Sequence, residues 1–209
     1  MYDLITIGSA TRDVFMFTKA LHPHRTKDAI SHTEACLPLG SKINVENVHY
    51  DTGGGSTNAA VTFTRMGKFK VAALTSIGND IRGRSITNAL KEDHVSAALV
   101  QFHPKESTAY SVILSPAKEG GERTILTYRG ASAHLNARKI PWNKLTARWF
   151  YITSLGGELD LIPKIIRHAK NLGAHIAFNP GGQEISKRKQ CIASCADVDI
   201  LILNREEAG

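Results

Sequence analysis

Only three cysteines are present, Cys36, Cys191 and Cys195. The odd count leaves at least one thiol unpaired and excludes a small disulfide-built scaffold. Cys191 and Cys195 lie four apart in a segment of helical pattern, so they share a face about one turn apart, and neither their number nor their spacing suits a structural zinc site. Buried thiols in a reducing compartment are expected. Long apolar runs are missing as well: no stretch approaches the roughly 18 residues of a membrane-spanning helix. The start, MYDLITIGSATRDVF, has no basic leader ahead of an apolar segment. These absences predict a cytoplasmic protein with no membrane partner. Aromatic residues make up only 7%, and they do not interleave with the tightest basic cluster, Lys187-Arg188-Lys189. With the remaining basic residues scattered, and with no zinc-finger spacing or RNA-binding signature, a net charge of +7 does not predict a nucleic-acid partner. The same charge balance favours anionic small ligands.

A chain of 209 residues can bury roughly 70% of the surface exposed when unfolded, enough for one large domain or one domain with a small appendage. The order of elements argues for α/β layering. Residues 4–8 form a short apolar run ending in Gly8-Ser9, the pattern of a central strand delivering a loop at its carboxyl end. Residues 13–50, broken by Pro23, Pro38 and Gly40, read as short strands and turns forming a flap. Ala59, Ala60, Phe63, Thr64 and Met66 give a mostly apolar helix that Gly67 can terminate. Residues 71–77 read as one buried strand, and residues 84–91 as a helix with Ile86 and Leu90 on one face.

The middle differs, with β-like runs at 98–102, 109–114 and 123–128, the last two separated by a hairpin-like Pro116-Ala117-Lys118-Glu119-Gly120-Gly121. Layering then resumes. A strand at 149–152 leads to a helix whose stripe is Leu161, Ile162, Ile165, Ile166 and Ala169, with Pro163 tolerated in the first turn. A strand at 174–178 precedes Asn179-Pro180-Gly181-Gly182. Residues 185–196 read as one helix, and residues 200–203 as a strand followed by Asn204-Arg205-Glu206-Glu207.

Chemistry concentrates at Asp51-Thr52-Gly53-Gly54-Gly55-Ser56-Thr57-Asn58. Consecutive glycines permit positive φ and remove Cβ atoms that would hold a ligand away. The helix start that follows offers backbone N–H groups to an anion or a hydroxyl-rich ligand, and Asn58 can both donate and accept. A tight turn with an Asn cap and no ligand has the same sequence. Neither a Walker A loop nor a dinucleotide-binding glycine pattern is present. Asp13, just beyond the first strand, can accept bonds from vicinal hydroxyls, although a solvated loop aspartate reads alike. Asn204 and Glu207, three apart after a buried strand, share one side of a helix start and suit water-mediated Mg²⁺, with Glu206 as a competitor. Acidic residues favourably placed at a helix amino terminus are the alternative.

Taken in order, these motifs resemble the ribokinase-like, or PfkB-type, carbohydrate and nucleoside kinases, over the amino-terminal two thirds of such a protein. Gly8-Ser9-x-x-x-Asp13 is similar to the family's first substrate-binding stretch, and Gly53-Gly54-x-x-x-Asn58-x-Ala60 with Gly67 to its amino-terminal signature. Thr108-Ala109-Tyr110, Glu122-Arg123-Thr124, Asn179-Pro180 and Asn204-x-x-Glu207 follow in the family's order. The resemblance implies a three-layer α/β/α, Rossmann-like core with a small β-sheet lid from segments at about 14–50 and 98–128, the carboxyl-terminal part missing. It implies that Asp13, Gly53, Gly54 and Asn58 bind the substrate, and that Asn179 lies near the nucleotide phosphates. It further implies that Asn204 and Glu207 organise phosphate, water and Mg²⁺, with Glu207 holding the metal through water. ATP and Mg²⁺ are the implied cofactors, and a homodimer through the lid the implied assembly.

Two departures are local. Ser56 stands where the family has Gly, Ala or Pro, adding a hydroxyl near the sugar or capping the helix, and Gly67 lies one residue farther than usual from Gly78. The third is larger: the family's second signature, a glycine-rich stretch ending in Gly-Asp that supplies an anion hole and the catalytic base, has no counterpart in the 209 residues. The leading expectation is therefore an ATP-dependent phosphotransferase acting on a primary hydroxyl of a sugar or nucleoside, this chain alone not catalysing efficient transfer. A non-catalytic sugar-binding or regulatory relative and an α/β scaffold are the alternatives. Retained ligand binding separates the second from the third.

Overall fold

A computed structural model of the chain describes residues 1–209 except 23, 28–32, 35, 117–122, 157 and 209. The chain divides into two compact units, one of Met1–Arg12, Thr52–Ala109 and Arg129–Gly209, the other of Asp13–Asp51 and Tyr110–Tyr128. In chain order, β1 (Tyr2–Ile7), β2 (Thr11–Thr18), β3 (His24–Arg25), β4 (Thr33–Glu34) and β5 (Asn47–Gly53) precede α1 (Gly55–Gly67). β6 (Val71–Leu74), β7 (Ser76–Gly78), α2 (Ile81–Glu92), β8 (Gln101–His103), β9 (Ala109–Pro116) and β10 (Thr124–Tyr128) follow. The last stretch holds β11 (Ala147–Ile152), α3 (Ile162–Asn171), β12 (His175–Phe178), α4 (Gly182–Ser186), α5 (Arg188–Cys195), β13 (Ile200–Leu201) and α6 (Arg205–Ala208).

The larger unit is built on a parallel five-stranded sheet in the order β13-β12-β11-β1-β6. Leu4 stands opposite Trp149 on one side and Val71 on the other, and Ala177 opposite Ile200. Because side chains alternate across a strand, each strand feeds two cores. Ile5, Ile7, Phe150, Ile152, Ile176 and Phe178 form one of them with Ile162, Ile165, Ile166 and Ala169 of α3. α3 suits this place because its other positions, Lys164, Arg167 and Lys170, are exposed, giving a single apolar stripe. On the opposite face Leu4, Val71 and Ala73 meet Ala60 of α1 and Ile86 and Leu90 of α2. Ser56 joins α1 to this face. Its hydroxyl, wholly buried, lies 3.1 Å from that of Thr6 and donates to the Thr6 carbonyl. That role is neither a hydroxyl near a sugar nor a helix cap.

The smaller unit carries a four-stranded sheet in the order β10-β9-β2-β5, with β9 and β10 antiparallel and Tyr110 opposite Tyr128. β3 and β4 form a separate two-stranded ribbon. Ala117 to Gly121 of the hairpin separator, together with Glu122, lie outside the described residues. Residues 98–109, read from sequence as part of the same excursion, belong to the larger unit.

Several elements depart from the sequence expectation. The run 71–77 is two strands, because β6 pairs with β1 whereas β7 pairs with β8, the Thr75 carbonyl accepting from Gln101 N at 2.8 Å where the partner changes. The end of α1 rests on Lys68, at φ 53°, and not on Gly67. A Cβ on Gly67 would meet the Phe69 ring, which is 46% exposed and would have to shift to admit it. Met66 is exposed and forms no part of the apolar face. The helix at 185–196 breaks at Lys187 into α4 and α5. Glu184 anchors the first piece, and the second is re-aimed so that Cys191 reaches the core. Cys191 is buried but Cys36 is exposed, and all three thiols are free. Burial first, and the neighbouring Cys195 next, push the Cys191 thiol up to about 11. Among the described residues no helix is long and apolar enough to cross a membrane.

Candidate functional site

All five strands of the main sheet are parallel, so the loops after them gather at one end. From β1 the chain crosses through α1 to β6 on one side. It later returns to β11 on the other side of β1, and α3 then packs on the opposite face. The crevice at the carboxyl ends of β1 and β11 is therefore a topological switch point, the usual place for a ligand in an open α/β sheet.

Three segments close on this point. Gly54 has φ 104°, and a Cβ on it would stand 2.5 Å from the Ser9 carbonyl oxygen and 2.7 Å from Ala10 Cα. A Cβ on Gly55 would meet Thr153 Oγ1 at 2.5 Å. The glycines thus admit the protein's own Ser9, Ala10 and Thr153, a purpose different from clearing space for a ligand. The free N–H groups expected at the start of α1 are partly used too: Gly55 N donates to Ser9 Oγ (2.9 Å) and Ser56 N to the Ser9 carbonyl (3.0 Å). Thr153 completes the joint, its N–H and hydroxyl both donating to the Ile7 carbonyl.

Asn58 stands apart from this packing. It lies in the first turn of α1, is exposed, and its side-chain amide makes no hydrogen bond to another described residue. Gly53, Gly54 and Asn58 are therefore brought together, with the Gly53 carbonyl accepting from Thr57 Oγ1. Asp13 is half-buried on β2, in the smaller unit.

The other three candidates also gather, along β12 and β13. Asn179 Nδ2 donates to the Ile202 carbonyl at 2.8 Å, tying the ends of those strands. Asn204 and Glu207 cap each other: Asn204 N donates to Glu207 Oε2 (2.9 Å) and Glu207 N to Asn204 Oδ1 (2.8 Å). This is the reciprocal arrangement of a capping box. The donor set fits a metal held through water, since Glu207 keeps a second carboxylate oxygen outside this pair. Among the described residues no three His, Cys, Asp or Glu side chains converge to hold a metal directly. The side chain of Glu206, the competing candidate, lies outside the described set.

Two further pieces of the framework have weak sequence signals. Glu184 is wholly buried, and its carboxylate accepts from Ser154 Oγ (2.8 Å), Leu155 N (3.0 Å) and Gly181 N (3.0 Å). It thereby fastens the loop after β11 to the loop after β12. Nothing in its sequence context distinguishes it from a solvated helix glutamate. Asp80 caps α2 through Gly83 N and accepts from Thr108 N and Oγ1 at 2.8 and 2.7 Å. Burial pushes its carboxyl up, but these hydrogen bonds and Arg82 outweigh it and hold the carboxyl below the usual range.

The family model for pfkB family carbohydrate kinases matches residues 3–209. The chain is 23% identical to the ribokinase of Haemophilus influenzae over 171 residues, which cover 81% of this chain and 54% of that one. It is 27% identical over 139 residues to the probable fructokinase-5 of Arabidopsis thaliana, covering 61% of this chain and 41% of the other. Among solved structures it is similar to the Methanocaldococcus jannaschii nucleoside kinase (TM-score 0.72, 16% identity, 99% of this chain and 62% of that one). The Arabidopsis thaliana ribokinase complexed with ribose and ATP is equally similar (TM-score 0.72, 18% identity, 99% and 61%). The chain thus spans about half the length of the curated relatives it matches and about three fifths of the solved ones. The chain belongs to the pfkB family of carbohydrate kinases.

Proposed function

We propose that this chain supplies the acceptor-binding half of an ATP-dependent kinase that phosphorylates a primary hydroxyl of a sugar or nucleoside. The observation that carries the reading is the exposed, uncommitted amide of Asn58, held at the switch point by the Gly54-Ser9-Thr153 joint. An amide can donate to one hydroxyl and accept from its neighbour, the pattern a polyol needs. Asp13 is proposed to accept from the same class of ligand, and Gly53 and Gly54 to shape the turn that presents Asn58. The smaller unit is proposed as a lid that excludes water. Exposed Val48, Tyr50, Ile125, Leu126 and Tyr128 on it suit pairing of two such lids in a homodimer.

Asn179 is proposed for the nucleotide phosphates and Asn204 and Glu207 for phosphate, water and Mg²⁺. Bound there, the metal supplies charge neutralisation of the phosphates. No residue of the 209 is assigned as catalytic base. A second reading, a sugar-binding relative without transfer, is favoured by the commitment of Asn179, Asn204 and Glu207 to the protein's own backbone.

Calorimetric titration with ribose, fructose and adenosine tests the acceptor site. One of them binds, and Asn58→Ala and Asp13→Asn each weaken it about tenfold, near 1.4 kcal/mol. Affinity unchanged in both variants would overturn the assignment. A coupled ATPase assay on the 209-residue chain separates the two readings: acceptor-dependent turnover excludes the non-catalytic one.

A further inference from the structure

A cavity of about 530 Å³ lies on the α3 side of the larger unit, within the size range of small-molecule sites. One wall is the β7 and β8 pair, a second the short turn Ala137–Lys139 with the residues just before it, and a third the chain entering α3. Gly53, Gly54, Asn58, Asn179, Asn204 and Glu207 take no part in its lining. Ser76 stands opposite Gln101, and His103 follows Gln101 by two, so the three side chains point to one face. Gln101, 8% exposed, clasps the second wall: its Nε2 donates to the Asn136 carbonyl at 3.0 Å and its Oε1 accepts from Asn136 N at 2.9 Å. The walls are therefore held by the protein's own bonds.

His103 limits what the cavity can take. Its Nδ1 accepts from Glu106 N (2.9 Å) and from Lys105 N (3.3 Å). A neutral imidazole that accepts at Nδ1 carries its proton on Nε2, so His103 offers a donor in place of the lone pair that a metal requires. The His134 ring stands beside it, 5.5 Å away and tilted by 38°. Lys139 and Lys164 bring positive charge to the same lining, and Glu158 and Asp160 negative charge. Among the described residues none of these four is in an ion pair. Donors and cations beside uncommitted carboxylates match a ligand that combines an anionic group with hydrogen-bond donors of its own. With the chain at +7, a ligand of net negative charge is favoured over a zwitterion. We propose that this cavity is a second binding site, for a small hydroxylated oxyanion. Its carboxylate or phosphate is received by His103 Nε2–H, Lys139 and Lys164, and its hydroxyls donate to Glu158 and Asp160.

Calorimetric titration of the 209-residue chain with gluconate and with ribose 5-phosphate tests the site. Sorbitol supplies the polyol alone, inorganic phosphate the anion alone, and serine a zwitterion. At least one hydroxylated oxyanion should bind, more tightly than any of the three controls, and which one binds names the oxyanion. Lys164→Ala, at an exposed position of α3, should weaken it about tenfold, and His103→Gln likewise. Asn58→Ala should leave it unchanged, which separates this site from the proposed acceptor site whether or not that assignment holds. Long-range ¹H–¹⁵N spectra should show the His103 proton on Nε2, with a signal that moves when the probe binds. The proposal is overturned if neither oxyanion binds, if a control binds as tightly, if both Lys164→Ala and His103→Gln leave affinity unchanged, or if binding disappears in Asn58→Ala. A His103 proton found on Nδ1 overturns it as well.

Discussion

The two faces of the parallel sheet share strands and hydrophobicity but not cover. On one, Phe150 and Phe178 are wholly buried under α3 with Cys191 of α5, each aromatic side chain stabilising by about 2–3 kcal/mol. On the other, Trp149 and Tyr151, one residue away along β11, are only partly buried, and Ile200 and Ile202 are exposed. Adjacent positions of one strand therefore carry different energetic weight. Sequence alternation says that a residue faces a layer, and only the fold says whether the layer is there.

The largest effect should come from the covered face. Phe178→Ala should cost about 3–5 kcal/mol in urea unfolding, and a loss below about 1 kcal/mol would erase the distinction between the faces. Glu184→Ala, which strips the acceptor from Ser154, Leu155 and Gly181, should cost about 2–3 kcal/mol. Glu184→Gln, keeping one carbonyl oxygen, should recover part of it by the same measurement. Gly54→Ala, where a Cβ meets Ser9 and Ala10, should cost about 1–3 kcal/mol and weaken acceptor binding by calorimetry. Ile202→Ser on the open face should stay within about 0.5 kcal/mol of the parent, the direct counterpart of Phe178→Ala.

The smallest effect concerns pH. Asp80, capping a helix on the partly covered side, has its carboxyl held below the ordinary value. Its stabilisation is present above the unfolded-state pKa, near 3.9, and is lost as pH falls through the lower folded value. Asp80→Asn should flatten that acid limb in thermal unfolding and leave stability at higher pH offset by a constant. An unchanged acid limb removes Asp80 from the account.

Much of this fold is written locally. β1, α1, α3 and β12 follow from apolar periodicity and from Gly8, Gly54 and Pro163 at their boundaries, and the ordered motifs point to the family before any coordinates. The failures are places where a distant partner decides. Residues 71–77 look like one strand because the exchange of β1 for β8 at Thr75 leaves no local mark. Lys187 parts α4 from α5, and the Glu184 of the first piece is held by Ser154 and Leu155, which lie far away in sequence. At the site, the glycine turn and Asn58 were legible from conformational freedom and side-chain chemistry. What the glycines approach was not: Ser9 and Thr153 fill that space, and a Gly-rich turn reads the same whether it faces a ligand or its own chain.

The mutual cap of Asn204 and Glu207 has a thermodynamic consequence. Any ligand that recruits Asn204 Oδ1, or the Glu207 Oε2 that accepts from Asn204 N, must first free the start of α6. The apparent affinity gained through these two groups is therefore the intrinsic affinity multiplied by the open fraction. A chain in which the cap is loosened would bind such a ligand more tightly while being locally less ordered, so amide exchange at Glu207 and affinity for a hydrated divalent cation should rise together.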